Sequence, residues 1–389
     1  MPPWLAFMPP HALWQHPYNS EIIEVLIMNQ QQLTRLNVGQ NLDDLMNLDP
    51  RGYGVCRILY KGAREKCKIP LTMNAALHLK KVLVPGSLVY IFTGFVLPTH
   101  QKPETDGIVS SVLLARALAR GFSAVPVLIC PEDCIAAARN MAPVAGLHAY
   151  DTIEEAQKYP AAVALIPFTK DVQAAQSQAE ELLDKYCPVA GISIEHPGAN
   201  SLGVYHNAIG KNVTELEDKS DVLFELMFKR KILTVAIGDL GNEMGLGSIS
   251  EHIQKYIPYA APGGCACGCG GGICVHTQAD HVITATVSDW GCYGLMAALA
   301  YLIKDMTVLH DGDMEREMLL AATRNGMVDM NGWLIPAIDG FELKMQVLLV
   351  ELMRECISYP MKLEQSCKTW FDKVLEKGFY QKENDSLEL

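Results

Sequence analysis

Between Ile237 and Ile249 the chain reads IGDLGNEMGLGSI: four glycines, two carboxylates and an amide directly behind the apolar, β-like segment Leu233 to Ile237. Neither a core helix nor a core strand needs that composition. Glycine at this density lets the backbone take positive φ and come close to a ligand, while Asp239, Asn242 and Glu243 supply oxygens. Three further acidic loops follow apolar runs. Leu88 to Phe95 leads into VLPTHQKPETDG, with Glu104, Thr105, Asp106 and Gly107; Val189 to Ile194 leads into Glu195-His196-Pro197-Gly198; Val282 to Val287 leads into Ser288-Asp289-Trp290-Gly291. Ligands of an open α/β sheet bind beyond the carboxyl ends of its strands, so these loops are expected to gather Glu104, Asp106, Glu195, Asp239, Glu243 and Asp289 in one crevice. Such a cluster raises the pKa of each member unless a cation neutralises it. Oxygen-only donors select a hard ion, Mg²⁺ or Mn²⁺, over zinc.

A blander account covers part of this set. Thr105 or Asp106 can serve as the N-cap of the following helix, stabilising it by roughly 1 kcal/mol; for Asp106, cap and ligand are equally good readings. Two or three of the six acids are expected to do no more than cap helices or pair with Arg and Lys. His196 reads as a turn or surface imidazole rather than a base. Asp280 and His281 stand at the start of their strand, which puts them at the opposite pole and makes Asp289 the better candidate.

The glycine loop lacks the Lys of a P-loop and carries no GxGxxG fingerprint in register with its strand, so no nucleotide cofactor is expected. The Asn212-Val213-Thr214 sequon is read as incidental in the absence of a secretory signal. Twelve cysteines without such a signal suggest a reducing compartment. Four of them, Cys265, Cys267, Cys269 and Cys274, fall within GGCACGCGGGIC. The spacing C-x-C-x-C-x4-C lacks the C-x2-C knuckles of common structural zinc sites. An unliganded thiol-rich loop is the favoured reading, with a bound metal as the alternative.

The elements that must position these loops alternate. Apolar runs Leu88 to Phe95, Ala124 to Ile129, Ala162 to Ile166, Val189 to Ile194, Leu233 to Ile237 and Val282 to Val287 read as buried strands. Amphipathic stretches Ile108 to Arg120, Val172 to Tyr186 and Cys292 to Lys304 read as helices between them. The expected fold is α/β, a mainly parallel sheet covered by helices on both faces, with helical flanking segments. Residues 1–20 are expected to form a loose leader, 21–84 a helical flank, 85–312 the core with its site, 313–360 a helical segment packed on that core, and 361–389 a terminal helix and frayed tail. The net charge of -12 and pI near 5.4 argue against a nucleic-acid partner. No apolar run reaches the ~20 residues of a membrane span.

Taken in order, KPETDG with its helix, GISIEHPG, IGDLGNEMGLGSI, ADHVITATVSDWGCYGL and the VDMNG and AIDG turns resemble the C-terminal domain of the D-glutamate cyclase family. The likeness runs from about residue 20 to 358. It implies dehydration of D-glutamate to 5-oxo-D-proline by attack of the amine on the γ-carboxyl group, a hydro-lyase reaction on a small-molecule substrate. On that reading Asp239 and Glu243, with Glu104 or Asp106, hold a divalent cation, Mn²⁺ or Mg²⁺. Glu195 acts as base or amine anchor, with Asp106 and Glu243 also in the catalytic set, and Thr105, Gly107, Gly241, Asn242 and Asp289 contact substrate. The two-domain animal members are mitochondrial and place a hydro-lyase-like domain first; that domain is expected to be absent here. A matrix location follows by analogy, or a cytoplasmic one without a targeting segment, and homo-oligomerisation stays open. Leu240 and Asp289 depart from the expected Gly and Asn. Two rival functions remain: a metal-dependent phosphohydrolase on a small phosphorylated metabolite, and a non-catalytic module that needs an N-terminal partner domain.

Overall fold

The computed structural model describes residues 28–363 and 368–380. The leader expected at 1–20 and the tail from 381 lie outside the described residues. Seven parallel strands form the central sheet in the spatial order His148–Tyr150, Ala162–Phe168, Val125–Pro131, Leu88–Thr93, Ala190–Ile194, Leu233–Gly238, His281–Thr284. Every residue of LVYIFT in the central strand is buried. Alternate side chains point to opposite faces, so both faces of the sheet are covered and the all-apolar runs are explained.

The chain leaves the central strand Leu88–Thr93 in one direction, through Val125–Pro131 to the His148–Tyr150 edge. It then returns to Leu88–Thr93's other side at Ala190–Ile194 and continues to His281–Thr284. The strand order therefore reverses between Leu88–Thr93 and Ala190–Ile194. A crevice opens at the carboxyl ends of two strands whose connections diverge in this way.

Five of the six expected strands keep their bounds to within two residues. The sixth, expected from Val282 to Val287, ends at Thr284, and the helix expected from Cys292 starts four residues earlier, as Ser288–Ile303. SDWGCYG has a loop-like composition for a packing reason. A Cβ on Gly291 would stand 2.7 Å from Ile237 Cγ2, and one on Gly294 2.9 Å from Thr72 Cγ2. Both glycines let this helix, buried from Ser288 through Leu302, approach its neighbours closely. The short edge strand His148–Tyr150 was not anticipated. It is three residues long, half-exposed and without an apolar run.

Helices Gln30–Met46 and Leu71–Val82 on the N-terminal side, and Leu343–Leu363 on the C-terminal side, all pack on Ser288–Ile303. Leu42, Leu79, Trp290, Tyr293 and Met353 consequently belong to the same apolar core as the strands. No helix among the described residues is long and apolar enough to cross a membrane.

Candidate functional site

Gly107 lies at the switch point. A Cβ there would meet Glu195 Cβ at 2.7 Å, Ile194 O at 2.8 Å and Thr93 Oγ1 at 2.8 Å, so the KPETDG loop runs directly against the ends of the two diverging strands. Glu195 follows Ile194 with φ of 44°, a left-handed conformation unusual outside glycine. That turn aims its carboxylate across the strand end, where the Ser288 hydroxyl donates to Oε2 at 2.6 Å. The EHPG and GNEMG loops are tied by backbone bonds, Met244 N to His196 O at 2.7 Å and Gly198 N to Asn242 O at 3.1 Å.

Asp106 and Asp289 form a reciprocal junction between two helix starts. Asp106 accepts the backbone N–H groups of Ser288 and Asp289, the first turn of the Ser288–Ile303 helix, at 3.2 and 2.9 Å. Asp289 in turn accepts Gly107 N–H at 2.8 Å and the Ser110 hydroxyl, at the start of the Ile108–Phe122 helix. Asp106 thus caps a distant helix instead of its own. Thr105 caps neither; its hydroxyl donates to Ala337 O at 2.7 Å.

The glycine loop separates its two carboxylates by environment. Glu243 accepts three backbone N–H groups of its own loop, from Asp239, Leu240 and Gly241, at 3.1, 2.7 and 2.7 Å. Both oxygens of Asp239 are buried, and neither accepts a hydrogen bond from the described residues. Asn242 donates to His206 O at 3.1 Å, and its own oxygen is likewise unpartnered.

All six acids named from the sequence are buried, and the fold adds a seventh. Asp339, from the AIDG turn, joins Asp106 and Asp239 in one group whose ligand atoms lie within 4.8 Å of one another; Glu195, Asp239 and Glu243 form a second such group. Asp239 belongs to both. Glu104 adjoins this centre through Asp339, while Asp289 lies behind Asp106. Burial, followed by the charges of Glu195, Asp339, Glu243 and Asp106, pushes the Asp239 carboxyl well above its ordinary range. Burial and neighbouring carboxylates do the same to Glu104, Asp106 and Glu195. Burial raises Asp289 to about 7, against the lowering effect of the Ser110 hydroxyl.

Arg51 is the counterion that sequence reasoning missed. Its Nη1 meets Asp339 Oδ2 at 3.2 Å and its Nη2 donates to Thr286 O at 2.6 Å. Burial works against its charge, but Asp339, Asp239 and Asp106 more than compensate and raise its pKa. In the sequence Arg51 stands in an ordinary-looking turn, NLDPRGYG, far from any strand end. Asp339 was visible within a turn but carried no strand to point it. His196, expected in a turn or at the surface, is fully buried and bonded to Pro197 O and Asp218. It faces a second polar cluster and not the acidic crevice.

A cavity of about 580 Å³ lies at the opposite pole, lined by Val84–Leu88 and Lys185–Cys187 among others. It contains no cluster of buried acids, and the functional site is assigned by its chemistry.

The curated human protein named D-glutamate cyclase, mitochondrial is 28% identical over 274 residues. The alignment covers 68% of this chain and 39% of the human protein, so the chain spans well under half of that relative's length. The family described as D-glutamate cyclase-like, C-terminal, matches residues 42–354, a stretch that contains Arg51, all four acidic loops and Asp339. With four-fifths of its length inside that match, the chain belongs to the D-glutamate cyclase-like C-terminal family.

Proposed function

We propose that the chain converts D-glutamate to 5-oxo-D-proline and water, using a divalent cation, Mn²⁺ or Mg²⁺, held at Asp239. The observation that carries this reading is the buried Asp239 carboxylate, free of hydrogen bonds from the described residues and shared by two acidic groups. An unpaired buried carboxylate costs several kcal/mol, and seven acids against Arg51 leave a large negative excess. Asp106 and Asp339 on one side, and Glu243 on the other, complete an all-oxygen donor set suited to a hard ion. When bound, such an ion supplies Lewis acidity toward the γ-carboxyl group, a poor electrophile by itself.

The chain's own residues supply the remainder. Cyclisation forms the N–Cδ bond and breaks one Cδ–O bond, and two protons from the ammonium leave with that oxygen as water. Glu195, oriented by the Ser288 hydroxyl, is placed to accept the proton from the amine. Arg51 offers a fixed positive charge to a substrate carboxylate. Both reacting groups belong to one molecule, so holding it bent supplies much of the entropic advantage.

The same geometry disfavours the phosphohydrolase alternative. Helix N-termini that would cradle a phosphate are already occupied by Asp106 and Asp289, which would repel it. The test is incubation of the purified chain with D- or L-glutamate, with Mn²⁺ or EDTA, following 5-oxoproline by chiral chromatography. Metal-dependent product from the D-isomer is expected. No product from folded, metal-binding protein would overturn the proposal and favour a module that requires a partner domain.

A further inference from the structure

The thiol-rich loop has acquired a partner from elsewhere in the chain. Cys274 points away, toward Ser250 O and Val275 O, and its place is taken by His206, from the loop after EHPG. The Nε2 of His206 lies 3.1 Å from Cys267 Sγ and 3.5 Å from Cys269 Sγ. Cys265 Sγ lies 3.4 Å from Cys269 Sγ and 3.6 Å from Cys267 Sγ. All four ligand atoms fall within 4.8 Å of one another. The separations are far beyond the ~2.05 Å of a disulfide. They sit a few tenths of an ångström inside the edges of a zinc tetrahedron, about 3.8 Å between sulfurs for Zn–S bonds of ~2.3 Å.

We propose that Cys265, Cys267, Cys269 and His206 form a structural Cys₃His zinc site. Four protein ligands close the coordination sphere, which leaves no open position for catalysis. Gly271 N–H and Asn200 Nδ2 donate toward Cys269 Sγ at 3.4 and 3.5 Å, the outer-shell bonds that orient and stabilise metal thiolates.

The ligands come from two loops that share few other ties, among them Cys267 N to Gly210 O at 3.2 Å and Asn200 Nδ2 to Gly272 O at 2.8 Å. Zinc would staple them together. Because His206 O receives Asn242 Nδ2, the staple also braces the glycine loop beside Asp239. The sequence grouped Cys274 with the other three cysteines and gave no sign of His206, which lies 59 positions before Cys265.

The test is metal analysis of the full chain purified without chelator under reducing conditions, followed by Co²⁺ exchange. About one zinc per chain is expected, with the intense visible absorption of tetrahedral cobalt thiolate after exchange. Cys267→Ser, at an exposed position, and His206→Gln should each lose the metal. Cys274→Ser and Asp239→Asn should keep it. A folded chain that neither contains nor takes up Zn²⁺ or Co²⁺ would overturn the proposal. So would a disulfide within the cluster, equal zinc loss in Cys274→Ser and Cys267→Ser, or zinc lost in Asp239→Asn and kept in Cys267→Ser, which would assign it to the acidic crevice.

Discussion

Asp239 and Glu243 stand four residues apart in one glycine loop, yet their surroundings assign them different work. Glu243 accepts three N–H groups and fixes the loop; Asp239 accepts none and is held buried among like charges. Replacing each by its amide separates these roles. Glu243→Gln puts an NH₂ donor where backbone donors converge and should cost about 2 kcal/mol of stability. Asp239→Asn removes an uncompensated charge and should leave the urea midpoint unchanged or higher, while abolishing Mn²⁺ binding. Titration calorimetry and urea unfolding of both variants measure the contrast, and Mn²⁺ affinity in Asp239→Asn equal to the parent's would remove the ion from that residue. The sequence displayed both carboxylates because a glycine-rich loop behind a strand is a local signal. Neither Arg51 nor Asp339 carried such a signal, since a turn outside the central sheet acquires an electrostatic role only when tertiary folding brings it to the strand ends.

At the level of elements, the site depends on the junction where two helix starts exchange carboxylates beside Gly107. Gly107 has φ of 82° and three atoms within 2.8 Å of any added Cβ. Gly107→Ala would therefore combine left-handed strain with a backbone collision and should cost about 3 kcal/mol or more. Gly52 has a similar φ of 72° but open space around it, so Gly52→Ala should cost only about 1 kcal/mol. Thermal or urea unfolding of the two variants compares collision with strain alone; equal losses would show that the Gly107 contact can relax. Most of the elements that build this junction were legible. Continuous apolar runs marked the buried strands, and the amphipathic Ile108 to Arg120 stretch marked the first helix. The start of the second helix was obscured because Gly291 and Gly294 serve close packing, which composition alone does not distinguish from a turn. The exchange of caps was beyond sequence reasoning, as Asp106 and Asp289 lie 183 positions apart and each bonds the other's helix.

For the whole molecule, the buried acids predict an inverted dependence of stability on pH. Most folded proteins gain stability as carboxylates ionise, because pairing lowers their native pKa values. Here Glu104, Asp106, Glu195 and Asp239 are shifted upward, Asp289 rises to about 7, and Asp43 rises to about 6 through burial despite accepting bonds from Leu71, Thr72 and Tyr60. Between the ordinary carboxyl values near 4 and these raised values, the native state binds more protons than the unfolded chain. These acids therefore lower stability as pH rises from about 4 through 7, while His281, which burial brings down to about 4, works in the opposite direction below about 6.5. A divalent ion bound at Asp239 replaces those protons as the neutralising charge and stabilises the native state by mass action. Urea midpoints at pH 5 and pH 7.5, in EDTA and in Mn²⁺, resolve the two effects. In EDTA the midpoint should drop on raising the pH; in Mn²⁺ the drop should shrink, with the gain from metal larger at pH 7.5. A midpoint that rises with pH in EDTA would mean that the acids are ionised and neutralised within the fold itself, by Arg51 and the helix starts, leaving no electrostatic demand for an ion.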